Sequence, residues 1–138
     1  MVDGPVVDAS VSAAWCLKDE TNAAADSVLM SLAGGGVVPA LWVCEMGNIL
    51  VTAERRGRIS SADGRRAVEL LGRLPLRIDP ATVDTMRRVQ TTAREYGITA
   101  YDASYLELAV RSGQALATFD ADLAHAARRA GVRLMPAG

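Results

Sequence analysis

The chain has 138 residues and a mass of 14.6 kDa, the size of one domain, and folding at that length can bury roughly two-thirds of the unfolded surface. Hydrophobic residues make up 50% and charged residues 22%, with a net charge of -1, which excludes a disordered polyelectrolyte and leaves a packed globular core. With 4% aromatic residues and a pI near 5.8, a surface that clings to nucleic acid everywhere is excluded too, so any such contact must be a local patch.

Pro5-Val6-Val7-Asp8 reads as a short buried strand ending on an acid, and Ala9-Ser10 as a turn into a helix from about Val11. A second helix over about 21–33 stops at Gly34-Gly35-Gly36, and Val37-Val38-Pro39 is a brief extended segment. Over 41–56 the apolar residues Trp42, Met46, Ile49, Leu50 and Ala53 recur at helical spacing, and Ser60 or Ser61 caps a further helix to Leu71. Leu76-Arg77-Ile78 is a short strand. Asp79-Pro80 starts a helix to about Tyr96, Gly97 ends it, and Thr99 opens the next through Arg111. A strand over 114–118, a helix over 121–130, a stop at Gly131 and a last strand over 132–135 complete the chain. Short strands alternating with helices predict an α/β fold in which four to five parallel strands form a sheet covered by helices on both faces. No repeat or linker divides residues 1–138, so a single domain is expected.

Only Lys18 among the 15 basic residues is lysine; the other 14 are arginine, whose planar fork suits bidentate contact with phosphate. Cys16 and Cys44 lie far apart with no CxxC pairing, which gives neither a zinc knuckle nor a disulfide framework and points to a reduced cytosol. The N-terminus has no signal-peptide pattern, and no apolar run is long enough for a membrane helix, so a cytoplasmic protein is expected.

Ligands of open parallel sheets bind beyond the carboxyl ends of the strands, where two predicted strands run into Asp8 and Asp120. Helix capping competes as an explanation of both: Asp8 or Ser10 for the first helix, Asp120 for the last. Thr99 and Asp102 have the spacing of a capping-box variant, and a first-turn acid is favoured by the helix dipole. Glu45 has mostly apolar neighbours one turn away, including Leu41, Trp42 and Ile49, and so needs a partner; Lys18 and the arginines are remote in sequence. Four converging acids at roughly 5 Å would repel by about 3 kcal/mol per pair at an effective dielectric of 20, so such a cluster wants a cation. Oxygen ligands without histidine select Mg²⁺ or Mn²⁺ over zinc, and the sole His125 falls within a helix, more a surface residue than a ligand. There is no GxSxG, GxxxxGK[ST] or GxGxxG motif, which excludes nucleotide binding by those loops, and nothing places Ser10, Cys16 or Cys44 beside His125 for nucleophilic catalysis.

Taken in order, these residues resemble the PIN domain, specifically the VapC-type ribonuclease toxins of toxin–antitoxin pairs. The resemblance runs over Val6-Val7-Asp8-Ala9-Ser10 with Trp15 and Asp19-Glu20, Val38-Pro39-Ala40-Leu41-Trp42 leading to Glu45 and Asn48, the stretch from Ala100 through Asp102, Tyr105 and Glu107 to Ala109, and Leu116-Ala117-Thr118-Phe119-Asp120. It implies Asp8, Glu45, Asp102 and Asp120 as metal-binding acids, with Ser10, Asn48 and Thr118 as supporting polar groups. Asp122 either holds a second metal through water or faces solvent on the last helix, the second being favoured. The implied activity is a Mg²⁺- or Mn²⁺-dependent endoribonuclease in which metal-activated water attacks phosphorus in line with the departing 3′ oxygen. A homodimer silenced by an antitoxin protein is implied as well. The RNA would be held by Arg55, Arg56 and Arg58 with Arg65 and Arg66, or by Arg87, Arg88 and Arg94; the competing explanation is a solvated face paired with Glu54, Asp63, Glu69 and Glu95. The alternative function is a catalytically weak module of the same fold that binds RNA or a protein partner.

Overall fold

The structure is a computed structural model describing residues 4–136. Five parallel strands form one sheet: β1 (Val6–Val7), β2 (Gly36–Pro39), β3 (Leu76–Asp79), β4 (Leu116–Ala117) and β5 (Leu134–Met135), in the spatial order β3-β2-β1-β4-β5. Seven α-helices connect them among the described residues: α1 (Ala9–Cys16), α2 (Ala23–Met30), α3 (Leu41–Arg55), α4 (Ser61–Gly72), α5 (Val83–Tyr96), α6 (Ala100–Ser112) and α7 (Ala121–Arg129). Val6 and Val7 point to opposite faces of β1 and neither is exposed, nor are Leu116 and Ala117 of β4. Both faces at the sheet's centre are therefore covered, as parallel strands require. Helix α6 packs over β1, β2 and β4, burying Ala103, Tyr105, Leu106, Leu108 and Ala109. No helix among the described residues is long and apolar enough to cross a membrane, and both cysteines are free.

The alternation of elements and the five parallel strands agree with the sequence reading, while several boundaries need correction. Helix α1 starts at Ala9 rather than near Val11, with Asp8 already its N-cap. The second helix is shorter than 21–33: α2 is capped by the Asn22 side chain and gives way at Ser31–Gly34 to a 3-10 turn. Asp79-Pro80 does not start α5. Asp79 closes β3 opposite Pro39, and its carboxylate is held by Arg111 at 2.7 Å and Arg77 at 3.3 Å. The cap of α5 is Thr82, in a reciprocal box with Thr85. The last two strands shrink to two residues each. Gly97 (φ 65°) and Gly113 (φ 68°) end α5 and α6 in the left-handed conformation that glycine adopts without strain.

Candidate active site

The chain runs from β1 outward through β2 to β3, then returns across the sheet to β4 on the other side of β1. Connections leave the carboxyl ends of β1 and β4 in opposite directions, and a crevice opens where the strand order reverses. The register pairs Val7 with Ala117, so the next residues, Asp8 and Thr118, stand side by side at its floor.

Asp8 is 7% exposed, and its side chain makes no capping bond to α1. Its Oδ2 instead accepts from the hydroxyls of Ser10 (2.7 Å) and Thr118 (2.8 Å). Those hydroxyls are fixed in turn: Phe119 N–H donates to Ser10 Oγ, and Asp120 N–H to Thr118 Oγ1, both at 3.0 Å. The capping explanation of Asp8 therefore fails, whereas that of Asp120 holds for one oxygen, since Oδ1 accepts from Leu123 N–H at 2.9 Å. Thr99 caps α6 by accepting from Asp102 N–H, which leaves the Asp102 carboxylate free of the box. Glu45 lies one turn into α3, half-buried, and its Oε1 accepts from the hydroxyl of Tyr105. The partner that sequence reasoning sought among cations is a phenol 60 residues away. Asn48 is exposed one turn beyond Glu45.

Electrostatics gather these acids into one crevice. Burial, then the charges of Asp120, Asp8, Glu45 and Asp122, push the Asp102 carboxyl up to about 6. Burial also raises Glu45, with the Asp8 charge adding and the Tyr105 hydrogen bond opposing. Asp122 is solvent-exposed, as favoured from the sequence, yet with Asp102 and His125 it lines a 350 Å³ cleft between the start of α6 and α7. His125 is exposed there, a neighbour that sequence spacing did not foresee.

Among the described residues no three His, Cys, Asp or Glu side chains are grouped closely enough to ligate one ion. The acids are neighbours without forming a closed ligand set: the charges of Asp120, Asp8 and Glu45 all reach Asp102. The donor chemistry nonetheless fits a hard divalent ion. Asp8 Oδ1, Glu45 Oε2, Asp120 Oδ2 and both Asp102 oxygens accept no hydrogen bond from the described residues, so each acid keeps an oxygen to offer while most are anchored through the other.

The arginines divide. Arg58 is engaged by Asp19 (2.8 Å) and Glu20 (2.7 Å), which assigns Glu20 a partner, and Arg66 pairs with Asp63. Arg87 pairs with Asp84 and Arg88 with Glu107. Of the acids suggested as arginine partners only Asp63 forms such a pair among the described residues; Glu54, Glu69 and Glu95 do not. Arg55 and Arg56 are exposed at the end of α3 and have no acid partner among the described residues. A 710 Å³ cavity lined by Trp15, Lys18, Asp19, Arg58, Asp63 and Arg66 lies apart from the four acids.

An open parallel sheet with carboxylates at its switch point defines an α/β protein with an acidic crevice at the ends of its strands. The family model described as PIN domain matches residues 6–129, and the chain belongs to that family. Among solved structures, it is similar to PAE2754 from Pyrobaculum aerophilum (TM-score 0.68, 29% identity, covering 91% of this chain and 86% of that one). The toxin VapC20 of Mycobacterium tuberculosis, which cleaves the sarcin-ricin loop, has the same fold (TM-score 0.66, 18% identity, 89% and 95% covered). So does VapBC2 of Rickettsia felis, seen bound to a DNA fragment from its promoter (TM-score 0.68, 12% identity, 94% and 95% covered). No curated protein matches the sequence significantly.

Proposed function

We propose that this chain is a divalent-metal-dependent endoribonuclease, the toxin of a toxin–antitoxin pair. The observation that carries the reading is the crevice itself: Asp8 after β1, Glu45 of α3 and Asp120 after β4 all act on the charge of Asp102 on α6, and each of the four keeps an oxygen that no described residue bonds. Asp8, Glu45, Asp102 and Asp120 would hold Mg²⁺ or Mn²⁺, which when bound activates water for attack on phosphorus and offsets phosphate charge. Ser10 and Thr118 orient Asp8 through their hydroxyls, and Thr118 ties Asp8 to the backbone of Asp120. The neighbours support the substrate and partner classes, since one is a toxin that cleaves an RNA loop and another a VapBC complex. An antitoxin protein, a homodimer and a cytoplasmic setting belong to the same reading.

The test is cleavage of total and transfer RNA by purified protein in Mg²⁺, Mn²⁺ or EDTA, beside Asp102→Asn prepared identically. Cutting that requires metal and disappears in the variant is expected. An inert wild type that still binds RNA would instead favour the binding module.

Arg55 and Arg56 are the proposed phosphate contacts, being exposed and unpaired among the described residues, where Arg58 is held by two acids. Arg55→Ala with Arg56→Ala should weaken RNA binding and lower the slope of log K against log salt by about 1 to 2. Fluorescence anisotropy across a salt series checks this, and an unchanged slope removes the assignment.

A further inference from the structure

We infer that Tyr105 is a positioning residue of the crevice, whose hydroxyl holds the Glu45 carboxylate ready for a divalent cation; the inference rests on the metal-dependent reading above. Tyr105 lies one turn beyond Asp102 on α6, so both side chains leave the same face of the helix. Asp102 reaches the mouth of the crevice. Tyr105 is 1% exposed, and its hydroxyl donates to Glu45 Oε1 on α3. One buried hydroxyl thus links α6, which carries Asp102, to α3, which carries Glu45.

A phenol with no task beyond packing would be as well replaced by phenylalanine, because burying a hydroxyl costs free energy unless it is bonded. Here the bond goes to a half-buried carboxylate that no arginine or lysine pairs with among the described residues. The bond occupies Oε1 and leaves Oε2 as the oxygen Glu45 can offer. It also removes rotamer freedom that the glutamate would otherwise lose on binding an ion, the sense in which groups behind a ligand tune a site.

Calorimetric titration with Mn²⁺ alone tests this on the wild type, Tyr105→Phe, Glu45→Ala and the double variant, with thermal melts in EDTA. The expected result is an affinity about ten-fold weaker in Tyr105→Phe, with an unchanged melt, and no further loss from Tyr105→Phe in the Glu45→Ala background. 4-Aminophenylalanine in place of Tyr105 restores a donor at the same ring position and should recover most of the affinity. Equal affinities of wild type and Tyr105→Phe would overturn the inference. So would losses that simply add in the double variant, or a Tyr105→Phe that does not fold, since either makes the hydroxyl structural. A wild type that binds no Mn²⁺ would instead sink the metal-dependent reading, and this inference with it.

Discussion

Asp102→Asn is expected to abolish metal-dependent RNA cleavage and, in metal-free protein near pH 7, to raise the melting temperature. The loss should be about a thousand-fold, because a cation that stabilises transition-state charge supplies several kcal/mol. The gain follows from the crowd of acids. With its folded-state pKa pushed up to about 6, above the ordinary aspartate value of 3.8, Asp102 favours the fold when protonated. That contribution is fully present below the unfolded pKa and is lost as pH rises through about 6. Full linkage would amount to about 3 kcal/mol, but the side chain is part-exposed and solvent screening reduces this to about 1 kcal/mol. Asparagine is neutral at every pH and mimics the protonated acid. The variant should therefore melt about 3 °C above wild type near pH 7 and at the same temperature near pH 4. Saturating Mn²⁺ should invert the order, since only the wild type gains full binding energy. Calorimetric melts across pH with and without Mn²⁺ decide it; a difference that stays flat from about pH 4 to pH 7 would show that Asp102 carries no excess repulsion.

The parts of this site that the sequence makes legible are local. Asp8 and Asp120 follow short apolar runs directly, so a strand leading into an acid could be read without tertiary information. Asp102 sits in the first turn of a helix announced by Gly97 and Thr99, and the structure keeps that turn. What stayed hidden depends on partners distant in sequence. The Glu45–Tyr105 bond spans 60 residues, and the Thr118–Asp8 bond spans 110 and follows from a strand register that periodicity does not encode. Asp79-Pro80 misled for the same reason. As a dipeptide it looks like a helix start, but pairing with Pro39 and the ion pair to Arg111 hold Asp79 in β3, and the better cap at Thr82 takes over.

Glu107 is a second acid on α6, five residues from Asp102 and within the stretch that carries the family resemblance, yet it turns away from the crevice into a different network. It is 7% exposed. Arg88 of α5 donates to it at 2.7 Å and Arg111 at 2.9 and 3.0 Å, while Arg111 also reaches Asp79 of β3. The four side chains tie α5 to α6 and α6 to the edge strand. Glu107→Ala is expected to destabilise the fold by about 2 kcal/mol. This lies below the figure for breaking a fully buried pair, because Arg88 and Arg111 are 41% and 38% exposed and can regain water. Urea unfolding measures the loss, and Mn²⁺ titration of the folded variant should return the wild-type affinity. The contrast with Asp102 is physical: a carboxylate with two guanidinium partners is already neutralised and stabilises the fold by its charge, whereas one facing four other acids destabilises it and is relieved by a proton or a cation. A Glu107→Ala protein of unchanged stability but weakened Mn²⁺ binding would move Glu107 into the site and break that division.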